Sequence, residues 1–126
     1  MFKMVEHRKV WWPVTWDCPV DGGKTQKAQI KMRFILMNTD NAAQLIRQAE
    51  ALDEEDASAL HPSDRKAQLL AQMIDDWEGV GNEEGEKVDF DVDALARFFR
   101  LPGTFLPVVE SYVRCMNGEP EARRKN

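Results

Sequence analysis

The residues that usually build small chemical sites are scarce in this sequence. It holds two cysteines, Cys18 and Cys115, and two histidines, His7 and His61, among 126 residues. Two cysteines make no disulfide framework, and none of the four has the close spacing of a zinc site. No stretch approaches the roughly 18 apolar residues of a membrane span. Positive charge is not in excess either. Seventeen Lys and Arg stand against 22 Asp and Glu, net −5, where a general nucleic-acid binder reads basic. The opening MFKMVEHRK has no apolar core before its charges, unlike a secretory signal. These absences point to a protein of a reducing cytoplasm, with no membrane and no nucleic acid among its partners. The length suits one domain with its own core.

Charge is unevenly spread. Residues 1–37 hold seven basic and three acidic side chains, net +4, while the remainder is net −9. Such asymmetry suggests self-association or a polar partner. Two solvated faces that merely differ account for it equally well.

From Val10 to Cys18 the pattern has period two. Val10, Trp12, Val14, Trp16 and Cys18 alternate with Trp11, Pro13, Thr15 and Asp17, which predicts a strand. Pro13 has no N–H, so that strand belongs at an edge. A second strand follows from about Ala28 to Met37, its Ala28, Ile30, Met32, Phe34 and Leu36 opposite Gln29, Lys31, Arg33 and Ile35. Asp21-Gly22-Gly23 between them is turn chemistry. The two make an antiparallel hairpin over about 10–37, with an apolar face that must rest on something. Phe2, Met4 and Val5 are read as a short additional strand.

Beyond the hairpin the period becomes 3.6. Asn38, Thr39 and Asp40 offer caps to a helix over 40–52, and the acidic run Asp53–Asp56 is a solvated connection. Pro62 opens a helix capped by Ser63 or His61, spanning 63–78 with Ala67, Leu70, Ala71, Ile74 and Trp77 inside. After a polar loop, Asp91 caps a helix over 91–101 with Val92, Leu95, Ala96 and Phe99 inside. Pro102-Gly103 breaks it. Thr104 caps the last helix, 104–117, with Phe105, Val108, Val109, Tyr112, Val113 and Met116 at helical spacing. Residues 1–118 thus form a single α+β domain, a hairpin on about four helices, and 119–126 a disordered tail.

Chemical motifs fail when tested one by one. Gly22-Gly23 joins two strands, with no following helix or P-loop Lys-Ser pair. Asp89, Asp91 and Asp93 begin like a calcium loop, but its glycine position is Ala94 and its glutamate position Arg100. Asp75 and Asp76 suit acid–base work, yet they fall on the polar side of the expected helix. No catalytic residue, cofactor site or metal site is assigned. Large apolar groups on outward positions are more telling. Trp11 and Ile35 lie opposite the inner face of the hairpin. Phe98 and Leu101 fall beside the inner stripe of their helix and, with Phe105, bracket the Pro102-Gly103 corner. These five are the candidate partner-binding residues, unless the fold wraps and buries them. Trp77, packed with Leu95, Phe99 and Tyr112, is the expected structural anchor.

Asp76-Trp77-Glu78-Gly79-Val80 at a helix end leads into an acidic loop containing Gly85. Val88-Asp89-Phe90 then enters a helix with Leu95 and Phe98-Phe99, and a final helix carries Pro107 and Tyr112. From Leu70 to Met116 this resembles the tail assembly chaperones of long-tailed bacteriophages and prophages, and the hairpin and first helix look like their N-terminal part. The acidic insert Asp53–His61 is longer than the family pattern. The resemblance implies a non-enzymatic protein of the host cytoplasm. It would bind the tape-measure protein, keep its apolar helices soluble, and be absent from the finished virion. Two other classes stand beside it: a tail-completion or adaptor subunit that stays in the particle, and a small enzyme. The family also implies a longer form, made by ribosomal frameshifting, that recruits tail-tube subunits.

Arg124-Lys125-Asn126 can be encoded by a run of adenines on which ribosomes slip. The gene is expected to read A-AAA-AAC across these codons, with an overlapping frame continuing beyond them. The nucleotide sequence checks this, and a gene with neither feature removes the longer form from the reading.

Overall fold

The computed structural model describes residues 1–53 and 61–120. Residues 54–56 of the expected acidic connection Asp53–Asp56, and 121–126 of the expected tail 119–126, lie outside the described residues. The architecture is α+β, with a three-stranded antiparallel sheet and four helices among the described residues. Strands β1 (Arg8–Val20) and β2 (Lys24–Leu36) form the hairpin; α1 (Thr39–Glu50) and a single 3-10 turn, Ala51–Asp53, follow. Then come α2 (Pro62–Leu70), β3 (Ile74–Glu78), α3 (Val92–Phe99) and α4 (Phe105–Met116). The strand order is β1-β2-β3, so Pro13 does lie on an edge strand.

The hairpin register joins Val10 to Phe34, Trp12 to Met32 and Val14 to Ile30 on the inner face. Lys9, Trp11, Pro13 and Thr15 stand opposite Ile35, Arg33, Lys31 and Gln29 on the outer one. Gly22 and Gly23 both take positive φ, +83° and +72°, which only glycine adopts without strain.

The expected helix over 63–78 is a correction. Helix α2 ends at Leu70, and a tight turn follows in which the Met73 N–H donates to the Leu70 carbonyl. Residues Ile74–Glu78 then pair with β2 as β3. The spacing of Ile74 and Trp77 misleads because β3 contains a bulge. Phe34 pairs with Ile74 and Arg33 with Asp76, so Asp75 is the extra residue. A bulge brings residues three apart to one face, as a helix does. The open edge of β2 decides between the two structures, because its backbone groups need partners. Residues 1–7 carry no strand, and β3 takes the third place instead.

Caps follow the sequence in three helices. Asn38 accepts from the Asn41 N–H, His61 Nδ1 from the Ser63 N–H and Asp91 from the Ala94 N–H, at 2.9, 3.1 and 2.7 Å. Thr104 does not cap α4. Its hydroxyl lies 2.7 Å from the Phe98 carbonyl and 2.9 Å from that of Leu101, so it closes the end of α3 instead. Val92 and Val113, expected inside, are exposed at the margins of their helices.

Two groups fix the layers to one another. The Tyr112 hydroxyl donates to the Ile35 carbonyl at 2.7 Å and accepts the Met37 N–H at 3.0 Å, which ties α4 to the end of β2. Burial raises the tyrosine pKa, against the lowering effect of the Met37 hydrogen bond. Trp77 is buried on β3, with Nε1 donating to the Val88 carbonyl at 2.8 Å. Its ring meets Phe90 and Phe98 edge-on, at 5.2 and 5.8 Å. Trp77→Ala is expected to cost about 3–5 kcal/mol by cavity formation. Tyr112→Phe, which strands a donor and an acceptor, should cost about 1–3 kcal/mol. Denaturant titration checks both, and a Tyr112→Phe loss as large as that of Trp77→Ala contradicts the hydrogen-bond account.

Candidate functional site

The sequence-predicted contact residues separate into two places. Trp11 and Ile35 sit on the outer sheet face, and Leu101 and Phe105 line the α3–α4 corner. Phe98 belongs to neither surface.

On the sheet face Trp11 is 39% exposed, with the Arg33 guanidinium 5.6 Å from its ring centre. The Arg33 Nε donates to Asp75 Oδ1 at 2.6 Å, and Lys9 Nζ lies 2.9 Å from Asp75 Oδ2. Both carboxylate oxygens therefore hold a cation. Cross-strand neighbours share a face, so Asp76, opposite Arg33, and Glu78, opposite Lys31, add to the same side. The hairpin's basic face thus finds acidic counterparts within its own sheet, which composition alone assigned to other surfaces. Asp75, expected with Asp76 on the polar side of a helix, stands instead at the bulge of β3 with both oxygens paired. The signal was present as two adjacent acids between Ile74 and Trp77, which strict alternation cannot accommodate.

Burial by itself raises the Asp75 pKa, but the hydrogen bonds and charges of Arg33 and Lys9 outweigh it and hold the carboxyl below its usual range. The hydrogen bond that Arg33 donates to Asp75 is the leading cause that strengthens the charged form of Arg33.

At the corner, two of the three predicted residues are core. Phe98 and Phe105 are only 7% and 8% exposed. Helix α3 spans eight residues and is covered on two sides. Phe98 meets Trp16 at 5.6 Å on the sheet, while Phe99 meets Phe105 at 5.3 Å. A helix held between two layers buries more than one stripe, so Phe98 does not face out. Leu101 is 57% exposed, and Leu106, which the sequence did not single out, is 55% exposed. Gly103 turns the chain between them with φ +76°. The concavity at this turn measures about 480 Å³, and Phe99, Leu101, Pro102, Phe105, Leu106 and Pro107 form its apolar lining. Lys66, buried in α2, places its ammonium 4.3 Å from the Phe105 ring centre. Of the expected anchors, Phe99 and Tyr112 are buried with Trp77, but only Phe90 and Phe98 make ring contacts with Trp77 among the described residues.

A second concavity, about 700 Å³, lies between the N-terminal segment and the β2–α1 turn, with Phe2, Val5, His7, Leu36, Met37 and Met116 on its walls. Met1, Phe2, Met4 and Val5 are exposed. Burial pushes the Cys115 thiol up to about 11, so it is protonated near neutral pH and a poor nucleophile. Among the described residues no cluster of His, Cys, Asp or Glu is placed to hold a metal ion, and no helix is long and apolar enough to cross a membrane.

No protein-family model, curated protein or solved structure matches this chain.

Because the native Asp75 pKa is depressed, its ion pairs stabilise the fold above the ordinary aspartate value of 3.8. That stabilisation is lost as pH falls through the native value. Asp75→Asn should therefore melt below wild type at neutral pH, with the gap closing under acid. A gap independent of pH shows that the carboxylate charge is not what matters.

Proposed function

We infer that the chain is a tail assembly chaperone of a phage or prophage, binding the tape-measure protein in the bacterial cytoplasm without catalysis. The single observation that carries the docking surface is the α3–α4 corner, where exposed Leu101 and Leu106 flank an apolar concavity of about 480 Å³. A surface of this kind suits the apolar stripe of an amphipathic helix. The sequence resemblance from Leu70 to Met116 supplies the identity of that helix. Tape-measure segments expose such stripes before the tail tube surrounds them, and an acidic outer surface, net −5, keeps a complex dispersed. Self-association through Trp11 and Ile35, and a tail-tube contact made by a longer form, belong to the same reading.

The test is co-expression with the large gene encoded just downstream. Wild type should keep that product soluble and be pulled down with it, while Leu106→Asp, at an exposed position, should fold normally but lose most of the soluble partner. If the partner's solubility is the same with Leu106→Asp, the corner is not the docking surface. Recovery of the chain in purified virions favours a structural subunit instead.

A further inference from the structure

Strand β2 runs on past its neighbour. Its 13 residues span Lys24–Leu36, but β3 pairs only with residues 31–34. Among the described residues no strand adjoins β2 on that side over residues 24–30. The cause is local. Gly79, with φ +91°, turns the chain off the edge just after Glu78. Val80, which a continued ladder would set opposite Gln29, gives its carbonyl to the Val88 N–H at 2.9 Å instead. A concavity of about 240 Å³ marks the place, walled by Gln29, Ile30, Lys31, Glu78 and Gly79.

The backbone groups along this edge have a known direction. Ile35 donates its N–H to the Met73 carbonyl at 2.8 Å, on the β3 side. Alternate residues of a strand repeat that direction, so Thr25 and Gln29 turn N–H and C=O to the same side, where β3 is absent. Both are exposed. On β1, Pro13 stands opposite Lys31 with no N–H to give it, so Pro13 and Pro19, six positions on, face the outer edge. Proline thus interrupts the edge of β1 twice, while β2 contains none. Sheets blunt edges that must stay apart, and proline blunts only one of these two. Asp17 and Asp21 match Lys24 and Lys27, with Asp17 opposite Lys27, so residues 16–30 carry no net charge.

We propose that residues 24–30 of β2 pair antiparallel with the same stretch of a second copy, about a two-fold axis near its middle, so that two sheets become one. A second copy suits the edge better than an unstructured chain does. Its stretch is already held extended by β1, so little freedom is lost in ordering it. The two-fold axis makes every contact twice, and the balanced charge lets the stretches meet without net repulsion. The contact lies at the sheet edge, apart from Trp11 on the outer face, and it does not rest on docking at the α3–α4 corner.

Light scattering and amide hydrogen exchange over a dilution series test this. At high concentration the mass should approach twice the 14.5 kDa of one chain. The Thr25 amide should exchange slowly in the dimer and fast on dilution. The Gln26 amide, directed at Cys18 within the hairpin, stays protected in both and serves as the reference. Thr25→Pro removes one outward donor from each copy and should weaken association about tenfold or more, while Trp11→Ser leaves it unchanged. The exchange measurement uses the wild-type chain, so it decides even if Thr25→Pro disturbs the hairpin. A monomer at every concentration, a dimer whose Thr25 amide still exchanges fast, or a folded Thr25→Pro chain that dimerises as before overturns the proposal. So does protection of Thr25 that appears only when another protein is bound.

Discussion

Ile74 and Trp77 must both face the core, yet they lie three residues apart on a strand. Regular pleating sends such a pair to opposite faces. The extra residue at Asp75 resolves the conflict. It returns Trp77 to the inner side, where the ring meets Phe90 and Phe98 and Nε1 reaches the Val88 carbonyl. It also brings Asp75 to Lys9 and Arg33 on the outer side. The aromatic core and the charge balance of the outer face both depend on this one insertion. A shift of register by one residue would exchange them, burying carboxylates and exposing indole.

Much of the fold was legible because its signals are local. Alternation from Val10 to Cys18, the Asp21-Gly22-Gly23 turn, and caps at Asn38 and Asp91 require only neighbours in sequence. Strand β3 was not legible. Five residues with apolar groups at i and i+3 fit a continuation of α2 as well as a bulged strand. The deciding factor, an open edge on β2, lies some forty residues away in sequence. Phe98 was misplaced for a related reason. Helical periodicity locates one buried stripe, but α3 touches both the sheet and α4. Leu106 was missed because it adjoins Phe105 and Pro107, and the phase of a short helical start is hard to fix.

The two contact regions differ in how they hold charge. On the sheet face, Asp75 engages both oxygens with cations from two neighbouring strands. Trp11 remains accessible there, but Arg33, which lies over its ring, is already committed. The α3–α4 corner instead couples accessible leucines to Arg100, whose pair with Asp64 is exposed. Exposed pairs of this sort contribute little to stability. The sheet face is thus balanced within its own sheet, while the corner keeps two leucines exposed.

Thr104 gives the corner a further property. Its hydroxyl, 2% exposed with its residue, sits against the carbonyls of Phe98 and Leu101 rather than at the start of α4. The turn between the helices is therefore fastened from inside by a buried group. A loop ordered only on contact subtracts its lost freedom from the affinity. Here the curvature of the turn exists before contact, and the leucines project from a frame already set. The side chains at 101 and 106 can then change without rebuilding the bend that presents them.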